Sequence, residues 1–142
     1  KELSIDKTVF REVQGKLIPI IEDKVQVGDI LTVRLKITTT QDIEFVHLKD
    51  DRASCFEPVD VISGYKYANG CTYYYVTNDE ATNFFFDKLA TGDYQLEYKV
   101  KVTHGGKFTN GTAKIQCMYA PEFGGHSKGE SIHVNELFGG VK

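Results

Sequence analysis

Tyr94-Gln95-Leu96-Glu97-Tyr98-Lys99-Val100-Lys101-Val102 alternates apolar and polar residues with a period of two. Successive side chains of a strand point to opposite sides. Tyr94, Leu96, Tyr98, Val100 and Val102 therefore form one face, and Gln95, Glu97, Lys99 and Lys101 the other. This is the pattern of a strand with one buried and one wet face. Two further stretches repeat it. Leu31, Val33, Leu35 and Ile37 alternate with Thr32, Arg34, Lys36 and Thr38, and Ala113, Ile115, Cys117 and Tyr119 alternate with Thr112, Lys114, Gln116 and Met118.

Working outward, shorter strands are predicted over residues 8–13, 16–21, 44–49, 72–77, 83–87 and 131–134. Turn chemistry separates them: Val27-Gly28-Asp29, Ala68-Asn69-Gly70, Thr91-Gly92-Asp93, Gly105-Gly106 and Thr109-Asn110-Gly111 all tolerate positive φ. Asn69-Gly70, between Tyr65 and Tyr67 on one side and Tyr73 and Tyr75 on the other, predicts a hairpin. A 3.6-residue apolar stripe is missing, so little helix is expected. Many short strands at regular spacing predict an all-β, immunoglobulin-like antiparallel sandwich. The run Leu89-Ala90-Thr91-Gly92-Asp93-Tyr94 suits a chain crossing between two sheets, with the Tyr94 hydroxyl bonding backbone at the corner.

A chain of 142 residues fits a single domain spanning 1–142 and can bury a core without metal or disulfide staples. Its 17 Lys and Arg against 20 Asp and Glu leave a net charge of −3, which gives a nucleic-acid partner no electrostatic support. No uncharged stretch approaches the roughly 18 apolar residues of a membrane span, so membrane insertion is not expected. The start at Lys1-Glu2-Leu3, without Met or signal core, reads as a piece of a longer polypeptide.

Chemistry finds little footing. His47, His104, His126 and His133 lie at least seven residues apart and make no metal-ligand spacing, and His133 reads as part of a solvated strand face. Asp50-Asp51 and Asp79-Glu80 read as solvated loop carboxylates rather than as an acid/base pair. Phosphate-cradling loops and nucleophile elbows are missing as well, and no cofactor is expected. Cys117 shares a face with Ile115 and reads as a small buried hydrophobe, while Cys71 after the Asn69-Gly70 turn reads as exposed. An oxidising compartment would allow a Cys55–Cys117 disulfide. A cysteine hydrolase using Cys71 or Cys117 is the enzymatic alternative. Asn110-Gly111-Thr112 matches the N-glycosylation pattern.

The aromatic runs Tyr73-Tyr74-Tyr75 and Phe84-Phe85-Phe86 are the strongest non-generic feature. On a strand Phe84 and Phe86 share one face and Phe85 takes the other. The second face is either covered within the domain, for example by residues 53–64, or it is a docking surface formed by Tyr73, Tyr74, Tyr75 and Phe85. A carbohydrate-binding sandwich with a flat tyrosine platform, made by Tyr73–Tyr75 or by Tyr65 and Tyr67, is the other reading, weakened by the absence of Trp.

Longer motifs carry a family resemblance. Glu44-Phe45-Val46-His47-Leu48-Lys49-Asp50, Arg52-Ala53-Ser54-Cys55-Phe56-Glu57-Pro58, Ser63-Gly64-Tyr65, Ala81-Thr82-Asn83-Phe84-Phe85-Phe86-Asp87 and Gln116-Cys117-Met118-Tyr119-Ala120-Pro121-Glu122-Phe123, followed by His126-Ser127, resemble a bacterial alpha-2-macroglobulin-type protein near its C-terminus. The resemblance covers nearly the whole chain. It implies a non-catalytic macroglobulin domain closing a large exported protein, periplasmic or in the cell envelope, of a family that traps proteases. Its partners would be the neighbouring domains of the same polypeptide and, through them, trapped proteases. Some members carry a Gly-Cys-Gly-Glu-Gln thioester motif. Gly70-Cys71-Thr72-Tyr73-Tyr74 departs from it at every later position.

Overall fold

The computed structural model describes residues 3–20, 25–59, 64–68, 71–78, 80–109, 111–127 and 131–135. Among these the regular structure is all strand: β1 (Leu3–Val13), β2 (Lys16–Pro19), β3 (Val25–Gln26), β4 (Ile30–Thr39), β5 (Ile43–Asp51), β6 (Phe56–Pro58) and β7 (Gly64–Ala68). Then follow β8 (Cys71–Thr77), β9 (Ala81–Leu89), β10 (Gly92–Val102), β11 (Gly106–Thr109), β12 (Ala113–Cys117), β13 (Ala120–His126) and β14 (Ser131–Asn135). A five-stranded sheet runs β2-β1-β4-β10-β6, and a six-stranded sheet runs β13-β12-β5-β9-β8-β7. Both are antiparallel throughout. A small sheet β11-β14-β3 contains a parallel pair, β14 with β3.

Two of the three alternating stretches, β4 and β10, pair with each other. Leu96 lies opposite Leu35, Tyr98 opposite Val33 and Val100 opposite Leu31, so the apolar faces of β10 and β4 coincide. All six are buried. A one-residue slip would turn the apolar face of the slipped strand to solvent, which fixes the register. On the wet side Arg34 Nε donates to Glu97 Oε2 at 2.7 Å, and the guanidinium lies 4.5 Å from the Phe10 ring centroid. The facing sheet supplies Val46, Leu48, Phe84, Phe86 and Ile115, and the Phe84 and Tyr98 rings meet across the sandwich at 6.1 Å. The Tyr94 hydroxyl donates to the Ala90 carbonyl at 2.8 Å, the corner bond anticipated from the sequence.

Several elements differ from the sequence reading. Phe56–Pro58 is a short strand on β10, so this part of residues 53–64 belongs to the five-stranded sheet and does not cover the six-stranded one. Gly106 opens β11 rather than a turn. β12 stops at Cys117 and turns at Met118 and Tyr119, with a register shift against β13. Tyr119, expected beside Ile115, is 81% exposed. β13 (Ala120–His126) escapes pattern reading because Pro121, Gly124 and Gly125 interrupt any alternation. Its glycines serve close approach: a Cβ on Gly125 would stand 2.9 Å from the Leu3 carbonyl oxygen of β1. Asn69-Gly70 itself, Asp79 and Asn110 lie outside the described residues, as does the His133 side chain. The strands flanking Asn69-Gly70 do pair as a hairpin, Ala68 with Cys71.

Candidate interaction surface

The six-stranded sheet sorts its aromatics by face. Tyr73, Tyr75, Phe84 and Phe86 are 5%, 2%, 0% and 1% exposed and point into the core. Their rings meet at 5.5 to 5.7 Å in edge-to-face and tilted pairs, each worth about 0.5–1.5 kcal/mol beyond area burial. The docking surface expected from Tyr73, Tyr74, Tyr75 and Phe85 is therefore corrected. Period-two geometry turns Tyr73 and Tyr75 inward and leaves only Tyr74 and Phe85 on the outer face.

That outer face is nonetheless aromatic across four strands. Tyr65 of β7, 77% exposed, meets Tyr74 of β8 edge-on at 5.0 Å. Tyr74 pairs with Phe85 of β9, and Phe85 stacks on the His47 ring of β5 at 4.6 Å and 4°. His47 Nε2 is 2.9 Å from Asn83 Oδ1, which orients the imidazole flat against Phe85. Sequence reading offered Tyr65 only for the carbohydrate platform and did not place His47 in any strip. Register, not local pattern, brings them together.

A second exposed group sits at the far end of the same sheet. Phe45 has φ 55°, a left-handed conformation that a bulky residue rarely adopts. On its two sides the inward positions change parity: Ile43 is buried before it, Val46 and Leu48 after it. Phe45 is left at the surface, where its ring meets Tyr119 edge-on at 5.3 Å. Phe45, Met118 and Tyr119 are 44%, 44% and 81% exposed. An open hollow of about 540 Å³ adjoins them, lined by Ile43, Phe45, Cys117, Tyr119 and Ala120 among others.

The candidate chemical groups are placed differently from expectation. Cys55, Cys71 and Cys117 are all buried thiols, and no disulfide joins them. Cys71 is thus corrected from exposed to buried, because the hairpin register puts it on the inward side with Tyr73. The Cys55–Cys117 bridge does not form. Cys117 pairs with Val46 near the start of β5, whereas Cys55 lies beyond its far end and accepts a bond from Thr103. Burial pushes the Cys55 and Cys71 thiols up to about 11 and raises Cys117 as well. Asp50 is also corrected. It lies within β5, fully buried, where Lys7 and Tyr98 bond its carboxylate. An open groove of about 550 Å³ near residues 52–58 is lined in part by Arg52, whose guanidinium is bonded to Thr77, Thr82 and the Asn78 carbonyl. Among the described residues no group of three or more His, Cys, Asp or Glu could hold a metal ion.

The two facing antiparallel sheets define an immunoglobulin-like β-sandwich domain. The chain belongs to the bacterial alpha-2-macroglobulin MG10 domain family, whose family model matches residues 3–122. Among solved structures it is similar to a point variant of Salmonella alpha-2-macroglobulin, with a TM-score of 0.77 and 13% identity over 95% of this chain and 9% of that one. Trypsin-activated alpha-2-macroglobulin from Escherichia coli gives 0.76 and 13% over 95% of this chain and 10% of that one. A non-cellulosomal cohesin from Archaeoglobus fulgidus gives 0.56 and 11%, over 96% and 93%. Identities this low bear on fold alone. No curated protein matches the sequence. The chain thus spans about a tenth of the alpha-2-macroglobulin chains it resembles.

Proposed function

We propose that this chain is a non-catalytic packing and docking domain at the C-terminal end of an exported, protease-trapping alpha-2-macroglobulin-like protein, periplasmic or in the cell envelope. Its occupant is a neighbouring domain of the same polypeptide. The observation that carries this reading is the aromatic outer strip Tyr65, Tyr74, Phe85 and His47 on a fold that, in its relatives, forms only about a tenth of a much longer chain. Uncovered rings of this kind favour contact with protein surface. The raised, buried thiols argue against a cysteine nucleophile, because the thiolate is the reactive form.

The test is hydrogen–deuterium exchange on the isolated chain and on the longer polypeptide that contains it. Slower exchange of β7 and β8 in the longer form is the expected result. Unchanged exchange on both strands, together with a monomeric, unprotected surface, would overturn the assignment. The carbohydrate platform is not favoured. Tyr73 and Tyr75 are buried, and the exposed Tyr65 and half-buried Tyr74 rings stand 70° apart instead of presenting one flat stacking plane.

A further inference from the structure

Lys7 and Asp50 meet where the two large sheets face each other. Lys7 lies on β1 between the inward-facing Ile5 and Val9, and Asp50 follows Leu48 on the inward side of β5. Their side chains are 2% and 0% exposed, and Lys7 Nζ stands 2.5 Å from Asp50 Oδ1. That is closer than the about 2.7–2.9 Å of an ordinary charge-assisted bond. The other carboxylate oxygen, Oδ2, accepts a hydrogen bond from the Tyr98 hydroxyl. Lys7 Nζ also donates to the Asp51 carbonyl at 3.2 Å, a second bond that anchors the nitrogen beside the Asp50 carboxyl group.

A charged pair is costly in this setting, because both ions have lost their water. Moving one proton from the ammonium to the carboxylate removes both charges and leaves an amine beside a carboxylic acid. Burial favours that form on the aspartate side: desolvation raises the Asp50 carboxyl above its usual range, against the opposing pull of Lys7 and Tyr98. The Lys7 nitrogen and the Asp50 carboxyl group are thus held together in a water-poor site. Holding two reacting groups in place can replace much of what a catalyst otherwise supplies.

We propose that Lys7 and Asp50 form an intramolecular amide bond, a covalent tie between β1 and β5 and so between the two sheets. The Lys7 amine nitrogen bonds to Asp50 Cγ, and the displaced carbonyl electron pair moves onto Oδ2, where the Tyr98 hydroxyl stabilises it. The carbonyl then re-forms. Oδ1, already carrying the proton received from the ammonium, takes a second proton from the nitrogen and leaves as water. Ammonium and carboxylate become amide and water, with no change in net charge and no oxidant or activating nucleotide consumed. Tyr98 acts on the reacting carboxyl group itself.

Intact-mass measurement of the purified, denatured chain tests this directly. The expected mass is one water below that of the sequence, with a branched peptide joining the segments around Lys7 and Asp50 and no tryptic cleavage after Lys7. Lys7→Arg and Asp50→Ala should each restore the full mass, and Asp50→Asn should form the same amide with loss of ammonia. Tyr98→Phe should leave a larger share of chains uncross-linked, and unchanged conversion would remove the role given to Tyr98. A folded wild-type chain at full sequence mass would overturn the proposal and leave Lys7–Asp50 an ion pair. A water loss mapped to any other position would overturn it too. The wild-type measurement decides even if a variant fails to fold.

Discussion

The two faces of the β8–β9 pair use the same residue types to opposite ends. Inward, Tyr73, Tyr75, Phe84 and Phe86 interlock against Tyr98 of the other sheet. Outward, Tyr74 and Phe85 join Tyr65 and His47 in a strip with no second layer over it among the described residues. Aromatic identity therefore does not tell core from surface here. Position within the pleat does, because one step along a strand reverses the face.

The largest expected effect comes from separating neighbours across that divide. Phe84→Ala should cost about 3–5 kcal/mol, the range for emptying a fully buried aromatic site, whereas Phe85→Ala should stay within about 1 kcal/mol. Urea unfolding of the two variants measures both, and equal losses would break the contrast. In the isolated chain Phe85→Ala should also leave the fold intact, which makes it the variant of choice for docking experiments.

A backbone position comes next. Gly111 has φ 78°, and a Cβ there would collide with the Asp51 carbonyl that receives Lys7. Gly111→Ala should destabilise by more than about 1 kcal/mol through strain and collision together. A thermal melt indistinguishable from wild type would show that the turn can move away from β5.

The inward face also sets thiol chemistry. With pKa values of about 11, Cys55 and Cys71 hold on the order of one thiolate in ten thousand at neutral pH. Native protein should therefore react with an aromatic disulfide reagent far more slowly than unfolded protein, and all three thiols should appear on denaturation. Rapid labelling of Cys71 in the native state would return it to the surface where its sequence neighbourhood first placed it.

The smallest effect lies at the exposed end of the sandwich. The Thr91 backbone N–H, and then its hydroxyl, bond Asp42 Oδ1 at 2.8 and 3.1 Å and hold the carboxyl below its usual value. Since the folded pKa is the lower one, the stability contributed by Asp42 is present above the unfolded value of about 3.9. It is lost as pH falls through the folded value. Thr91→Ala should move the NMR titration of Asp42 only part of the way up, because the backbone N–H remains.

Local alternation was enough to read β4, β10 and β12, and the corner bond from Tyr94 to Ala90, since each depends on residues close in sequence. The same reading failed to signal the left-handed backbone of Phe45, which resets the parity of β5 and leaves its ring at the surface. It failed again at Asp50, where two adjacent acids look like a loop until Lys7 and Tyr98 arrive from the other sheet. Half of the aromatic surface was legible: Phe85 and Tyr74 by pattern, but not Tyr65 and His47, which reach the strip through strand order.

The sequence by itself determined that the chain is an all-β sandwich with Phe84 and Phe86 on one face and Phe85 on the other, because strand periodicity is a property of neighbouring residues. Only the tertiary structure decided that Tyr73 and Tyr75 are core, that Cys55 and Cys71 are buried thiols, and that Lys7 reaches Asp50. Those outcomes depend on which strands pair and which faces meet. They are set by contacts between residues tens of positions apart, where desolvation and packing act on groups whose local sequence is silent about them.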